Sequence, residues 1–417
     1  MTSDDPYAMA RAMAGDGIKD FEAELDVAAL RGYRLGRVQD QLRAHDYGAA
    51  VLTEPMNIRY ATGTRVFSVW TMHNAARWVF VPAEGKCVLF EFGNHGIMAR
   101  SGALETIGEV RPARGWSYRS AVEHQAERVA AWAGELAELM GEKGGGSRRI
   151  AFDHLDPLGL KALEAKGLEV GDGERVMAQA RLIKSREEIM CMCWAISGIE
   201  TGMHRMTEAL KPGMTEQELW SIIAQANAEN GGEWMETRLL ASGGRTNPWM
   251  QEAGQRRVRP GELVAFDADA NGAFGYCADI SRTFFCGPGK PTAEQKDLYK
   301  LAVDQVEHNM ALLKPGVTFR QVVEKSFRMP QDTVLNRYAL LHGVGLGDEY
   351  PGIPQVQDTD RMSEPDRVIE ENMAFCVESY MGREGGAEGV KLEHQVVVTA
   401  SGVQILDTYP WEEVLLG

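Results

Sequence analysis

Apolar residues recur at intervals of three and four from Asp20 to His45, from Ala121 to Met140 and from Arg186 to Leu210, the spacing of one helical face. Pro212-Gly213 ends the third of these helices, and Thr215 with Glu218 three residues later forms a capping box that opens another, running to Asn230. Two further helices are predicted near Thr292 to Leu313 and Phe319 to Ser326. Short apolar runs at Ala49 to Leu52, Trp78 to Pro82, Lys86 to Phe92 and Arg149 to Asp153 predict strands. Glu54-Pro55 and Ala83-Glu84-Gly85 read as turns between them, and Gly141 to Ser147 as a flexible connector. The pattern changes around Val176 to Ser185, which divides the chain into domains at 1–177 and 178–417; the second is expected to be α+β.

With 417 residues and 44% hydrophobic content the chain exceeds one ordinary core, which agrees with two domains. Its 60 acidic against 44 basic residues give a formal charge of −16, which repels phosphate backbones and anionic lipid and argues against nucleic acid or membrane as partners. The polar, acidic start MTSDDPYAMARAMAGDGIKD lacks the basic and apolar regions of a secretory signal, so a cytoplasmic location is expected. Six cysteines without zinc-ribbon spacing are expected to be reduced core residues.

The segment from Leu263 to Phe285 carries the first chemistry. Two β-prone runs flank Asn271-Gly272, which predicts a hairpin turning there, with Asp267 and Asp269 on one face and Asp279 within cross-strand reach. A lone aspartate on a hairpin is ordinarily a solvated charge, but three on one face among Phe266, Phe274 and Phe284 repel one another unless a cation joins them. His342 in LLHGVGLGDEYP, Glu378 and Glu393 form a second set, each glutamate interrupting an apolar strand where carboxylates are rare. Glycines at 343, 345 and 347 predict close backbone approach near His342.

The order Asp, Asp, His, Glu, Glu, with the SRTF, HGVG and KLE motifs, resembles the pita-bread metalloenzymes, the methionine aminopeptidase, aminopeptidase P, prolidase and creatinase relatives. The resemblance covers roughly the last 240 residues; it implies a pita-bread catalytic domain behind a creatinase-like N-terminal domain. Peptide-cleaving members carry a histidine after the proline of an upstream loop and another seven residues beyond the metal histidine. Here Trp249 follows Pro248, and Glu349 stands at the second position, so the usual donors to a scissile carbonyl are missing.

The same departures, with the stretches at 231–254 and 263–285 and HGVGLGDEYP, are similar to the DddP-type dimethylsulfoniopropionate lyases. That resemblance implies a di-iron set of Asp267, Asp269, Asp279, His342, Glu378 and Glu393, with Asp348 as base and Tyr338 near the place of an active-site tyrosine. Manganese, cobalt or zinc suits such oxygen-rich ligands as well as iron. It further implies a small carboxylate substrate and a homodimer whose partner closes the pocket, with the segment from Val69 to Asn74 as a candidate lid, although helix or strand packing explains that segment equally well. Trp249 offers a π face for a sulfonium cation, with Tyr276 and Trp234 as weaker lining, although core packing explains Trp234 better. The rival reading is an Xaa-Pro dipeptidase or aminopeptidase P-like hydrolase; a non-catalytic binding module is disfavoured by the complete ligand set.

Overall fold

The computed structural model describes residues 24–334 and 339–417. Two compact units result, one from Asp26 to Arg181 and the other holding Leu182 to Gly417. The expected boundary at 177/178 lies inside the helix Gly173–Arg181, whose buried Val176, Met177 and Ala180 tie it to the first unit.

In the first unit, strands β1 (Ala49–Leu52), β2 (Trp78–Pro82), β3 (Cys87–Glu91), β4 (Ile107–Pro112), β5 (Arg149–Phe152) and β6 (Glu169–Asp172) form one mixed sheet in the order β4-β3-β2-β1-β5-β6. The helix Gln125–Lys143 places Val129, Trp132, Ala133, Leu136, Leu139 and Met140 on one stripe, and these pack with Val51, Phe80, Phe90 and Phe152 of the sheet. This helix starts four residues later than the periodicity implied, because Val122 takes a left-handed φ of 46° that breaks the turn before it. The first long helix is Val27–Ala44, capped by Asp26; the part of the expected helix before Glu24 lies outside the described residues.

The second unit holds the chemistry. Its helices Arg186–Ala209, Glu216–Glu229, Ala293–Met310 and Phe319–Lys325 each open with a capping box, from Ser185, Thr215, Thr292 and Thr318. Strands β7 (Trp234–Met235), β8 (Leu240–Ser242), β9 (Leu263–Asp267), β10 (Ala270–Asn271), β11 (Cys277–Ala278) and β12 (Ser281–Phe285) make two small sheets, β12-β9-β8 and β11-β10-β7. Strands β13 (Ala339–Val344), β14 (Asp348–Pro354), β15 (Ala374–Gly382), β16 (Gly389–Val398) and β17 (Val403–Ile405) form an antiparallel sheet in the order β14-β13-β15-β16-β17. Every residue of β15 and β16 is buried, so these strands read as continuous apolar runs, and the charged residues inside them stand out.

Candidate metal centre

The aspartate hairpin forms, but its turn is not at Asn271-Gly272. Asn271 pairs with Cys277 and Gly272 N–H donates to the Tyr276 carbonyl, so the chain reverses through Ala273–Gly275. The register continues from Asp267↔Ser281 to Ala270↔Ala278 and leaves Asp269 facing Asp279 in an unpaired gap. Asp269 sits there at a left-handed φ of 34°, a conformation aspartate tolerates better than most residues. Carboxylate oxygens of Asp267, Asp269 and Asp279 lie within 4.8 Å of one another.

The large sheet supplies the rest. Glu378 on β15 is directly opposite Glu393 on β16, and His342 on β13 is opposite Cys376 on β15. His342 Nδ1 lies 3.1 Å from the Gly343 carbonyl, and donation there leaves the Nε2 lone pair facing Glu378 Oε1 at 3.2 Å, Asp279 Oδ2 at 3.4 Å and Glu393 Oε1 at 3.9 Å. A lone pair aimed at three carboxylates is repulsive unless a cation lies between them or the ring is protonated. Asp279 Oδ1 and Glu393 Oε1 are buried with no hydrogen-bond partner among the described residues, which costs about 1–3 kcal/mol or more each if left so. All six expected ligands therefore converge, and the hard, oxygen-rich donor set fits a pair of divalent ions.

The electrostatics without a cation are correspondingly strained. Burial, reinforced by Asp267, pushes Asp269 up to about 7. Burial, reinforced most by the charge of Glu393, drives Asp279 well above the carboxylate range, and burial with Glu378 does the same to Glu393. Burial would lower the His342 imidazolium, but the Glu378 hydrogen bond and the Asp348 charge outweigh it and raise the group to about 9. For Glu378 burial acts upward, while Lys391 and His342 prevail and bring it down to about 2. Cys376 Sγ shares the space of Asp279, His342 and Glu393, yet burial pushes its thiol far up and it donates to the Asp279 carbonyl at 3.7 Å.

Two residues given no role by the sequence analysis hold this cluster together. Lys391 Nζ, buried, lies 2.6 Å from Glu378 Oε2, 3.1 Å from Glu393 Oε2, 3.2 Å from Asp267 Oδ2 and 2.6 Å from Ser281 Oγ. Ser281 Oγ in turn is 2.6 Å from Asp267 Oδ1 and 2.7 Å from Glu393 Oε2. Five carboxylates against one ammonium leave four negative charges, which two divalent ions match. The signal was present in the KLE and SRTF motifs, since a lysine within an apolar, fully buried strand requires buried partners. Lys391→Met keeps the length of the side chain but strands three carboxylates, so metal-free protein is expected to lose about 3–5 kcal/mol. Thermal denaturation in chelator measures this, and an unchanged Tm would mean the ammonium is not needed.

Residues 192–400 match the metallopeptidase family M24, and residues 34–183 match the creatinase/prolidase N-terminal domain. The chain belongs to the M24 family. That membership fixes the architecture as a creatinase-type N-terminal domain followed by a pita-bread domain, and it implies a dinuclear divalent metal site. The chain is 36% identical to the dimethylsulfoniopropionate lyase DddP of Roseovarius nubinhibens over 398 residues, 94% of this chain and 89% of that protein. It is 35% identical to the DddP of Roseobacter denitrificans over 398 residues, covering 94% and 88%. The Xaa-Pro dipeptidase of Bacillus anthracis superposes with a TM-score of 0.70 at 20% identity, over 91% of this chain and 98% of that one. The prolidase of Pyrococcus horikoshii OT3 gives 0.71 at 19%, over 91% and 99%, a likeness of fold.

Around the M24 ligands the other expected residues divide. Asp348 opens β14, with Oδ1 3.8 Å from His342 Nδ1 and 64% of its side chain open to solvent. The protein packed beside it and the charges of Glu378 and Asp267 hold its carboxyl above the usual range against the pull of His342, a lift that solvent damps. Trp249 is buried against Leu239, Ala241, Ala265 and Tyr380, with its indole N–H unpartnered among the described residues. Ala265 lies on β9, two residues before Asp267, so Trp249 backs the strand that carries a ligand. Tyr276 offers less than expected: it is fully buried and its hydroxyl donates to Glu188 at 2.9 Å. The Trp234 indole donates to Glu236 at 2.8 Å. Tyr338 lies outside the described residues.

Glu349, at the position of a peptidase histidine, forms a buried ion pair with Lys184 at 2.8 Å and accepts the Leu346 N–H at 2.8 Å. The glycines of the HGVG loop serve this same turn: a Cβ on Gly343 would meet the Tyr350 carbonyl at 2.3 Å, and one on Gly345 the Glu349 carboxylate at 2.5 Å. Their close approach is to the neighbouring strand of the hairpin, which sets the distance between His342 and Asp348.

Proposed function

We propose that the protein is a carbon–sulfur lyase that converts dimethylsulfoniopropionate to dimethyl sulfide and acrylate. The observation that carries this reading is the match over 94% of the chain to two proteins named dimethylsulfoniopropionate lyase, joined to Trp249 and Glu349 at the positions where peptidases hold histidines. Glu349 is neutralised by Lys184 and is not free to stabilise a tetrahedral intermediate.

In this reading the substrate carboxylate is drawn to the centre formed by Asp267, Asp269, Asp279, His342, Glu378 and Glu393. Two divalent ions there, iron by analogy, supply the positive charge that binds that carboxylate and offsets negative charge developing on it. Asp348 is the one carboxylate of the group at the solvent edge, and it takes the α-proton on its free oxygen. The C–H electron pair becomes the Cα–Cβ double bond, the Cβ–S bond breaks, and its pair leaves on sulfur as neutral dimethyl sulfide. Asp348 then returns the proton to water. Trp249 provides an aromatic, uncharged wall suited to a sulfonium group.

Headspace gas chromatography of iron-loaded protein with dimethylsulfoniopropionate tests the reading, alongside hydrolysis of a Gly-Pro dipeptide. Dimethyl sulfide and acrylate in equal amounts are expected; proline release without dimethyl sulfide would make the protein a dipeptidase instead. Trp249→His is expected to lower lyase kcat/KM at least tenfold, since imidazole gives the sulfonium a poorer π face; an unchanged value removes Trp249 from the site.

The same reading includes a cytoplasmic homodimer. In the first unit Phe67, Trp70 and Phe92 stack edge-to-face, and Phe67, Trp70 and Met72 are exposed, an apolar surface that a second copy would cover as it closes over the substrate. Sedimentation equilibrium is expected to give a dimer, with Trp70→Glu shifting it towards monomer.

A further inference from the structure

Asp269 is held differently from the other ligands of the centre. Between Asp267, the last residue of β9, and Ala270, the first of β10, the chain crosses from the sheet β12-β9-β8 to the sheet β11-β10-β7. Asp269 stands in that crossing, outside both ladders and at its left-handed φ of 34°, a backbone state that persists only where the surroundings hold it. The Asp267 carboxylate accepts from Ser281 Oγ at 2.6 Å and lies 3.2 Å from Lys391 Nζ, so two neighbours fix its direction. The Asp269 carboxylate has the Thr237 hydroxyl alone, which donates to Oδ2; its other oxygen takes no hydrogen bond among the described residues.

Strand β7 places Thr237 for this contact. Trp234 pairs with Asn271 and Met235 with Ala270, and the next N–H, that of Glu236, donates to the Asp269 carbonyl at 2.8 Å. The Glu236 carboxylate in turn accepts from Asn271 Nδ2 at 2.5 Å, which ties the end of β7 to β10. Consecutive residues therefore grip Asp269 twice, Glu236 by its main chain and Thr237 by its side chain. A threonine at a strand end is ordinarily explained by β-propensity, but propensity does not turn its hydroxyl onto a ligand carboxylate.

The ligand atoms fall into two overlapping groups, Asp267, Asp269 and Asp279 in one and Asp279, His342, Cys376 and Glu393 in the other, with the atoms of each within 4.8 Å of one another. Asp279 is common to both, whereas Asp269 belongs only to the first. A disturbance confined to Asp269 therefore acts on one ion of the pair. We propose that Thr237 is the positioning residue for the ion on the aspartate side: its hydroxyl occupies Oδ2 and fixes the carboxylate, leaving the other oxygen of Asp269 to meet the ion. Partners that orient a metal ligand in this way contribute about 10–100-fold in affinity. This role rests on the dinuclear centre and is independent of whether that centre serves a lyase or a hydrolase.

Titration of chelated full-length protein with manganese(II), followed by calorimetry and by electron paramagnetic resonance, is the test. The wild type is expected to take two ions per chain and to show the multiline spectrum of a coupled pair. Thr237→Val keeps the branched shape but removes the donor, and Thr237→Ala removes it without setting a methyl against the carboxylate. Each is expected to hold one ion as the wild type does, to bind the other at least about tenfold more weakly, and to show an isolated ion where the wild type shows the pair. Thr237→Ser restores the hydroxyl and is expected to restore the second ion. Asp269→Asn is expected to lose the same ion as Thr237→Val. If Asp269→Asn binds both ions as the wild type does, or the wild type takes only one, the assignment of the centre fails and the proposal with it. If Asp269→Asn loses an ion while Thr237→Val and Thr237→Ala keep both, the centre stands and the role of Thr237 is overturned. Equal weakening of both ions, or no rescue by serine, would overturn it as well, because the effect would not then pass through the hydroxyl and Asp269.

Discussion

Asp348→Asn is expected to bind the same complement of metal as the wild type and to lose at least about a hundredfold in dimethyl sulfide production. The residue stands at the edge of the ligand cluster, its Oδ1 3.8 Å from His342 Nδ1 and most of its side chain in solvent, so replacing it removes a proton acceptor and leaves the six ligating side chains in place. General base catalysis contributes about 10²–10⁴-fold, and the other carboxylates of the cluster, Asp267, Asp269, Asp279, Glu378 and Glu393, are buried. The asparagine keeps the size of the side chain, so the β13–β14 turn braced by Glu349 and Lys184 is preserved. Metal content by emission spectrometry and acrylate formation by chromatography decide it. Full activity in the variant would transfer the proton abstraction to another group and remove the central step of the mechanism.

The second large effect concerns the stability of metal-free protein. Asp269 is raised to about 7, and Asp279 and Glu393 are also raised well above the carboxylate range, whereas in an unfolded chain such carboxylates titrate near about 4. The folded state therefore holds more protons than the unfolded state between about pH 4 and 7, and stability falls as pH rises through that window. Glu378, lowered to about 2, acts in the opposite sense, but only in acid, as pH falls below about 4. Chelated protein is thus expected to melt at lower temperature at pH 7.5 than at pH 5.5, while metal-loaded protein shows no such loss because the ions take the place of the protons.

Asp279→Asn separates function from stability at the same site. Its amide would face carboxylate oxygens of Asp269 and Glu393 in place of a buried carboxyl group, so the chelated variant is expected to be more stable than chelated wild type by about 1–3 kcal/mol near pH 7.5. The gain should shrink towards pH 5.5, and metal binding and turnover should both be lost. Chemical denaturation with urea at the two pH values measures this directly. A variant destabilised at both would mean that Asp279 supports the fold by a contact other than the cluster.

Much of this centre was legible in the sequence because metal sites impose composition on strands. Glu378 and Glu393 break continuous apolar runs, and Asp267, Asp269 and Asp279 crowd a single hairpin; neither pattern is stable without a cation, so residue type and spacing alone named all six converging side chains. Helix positions followed from apolar periodicity and capping residues, which act over three or four residues and need no knowledge of the rest of the chain.

Tertiary structure decided what depends on residues distant along the chain. The hairpin turn moved from Asn271-Gly272 to Ala273–Gly275, since the pairing of β10 with both β7 and β11 sets the register and overrides a local turn preference. Lys391 and Ser281 became the partners that hold Asp267, Glu378 and Glu393, a relation no short-range pattern contains because Ser281 and Glu393 lie 112 positions apart and Lys391 and Asp267 farther still. Tyr276 turned from pocket lining into a buried donor to Glu188 for the same reason. Local sequence thus specified which residues carry charge and which segments are helix or strand, whereas the balance of buried charge and the satisfaction of buried donors are sums over neighbours that only the folded chain brings together.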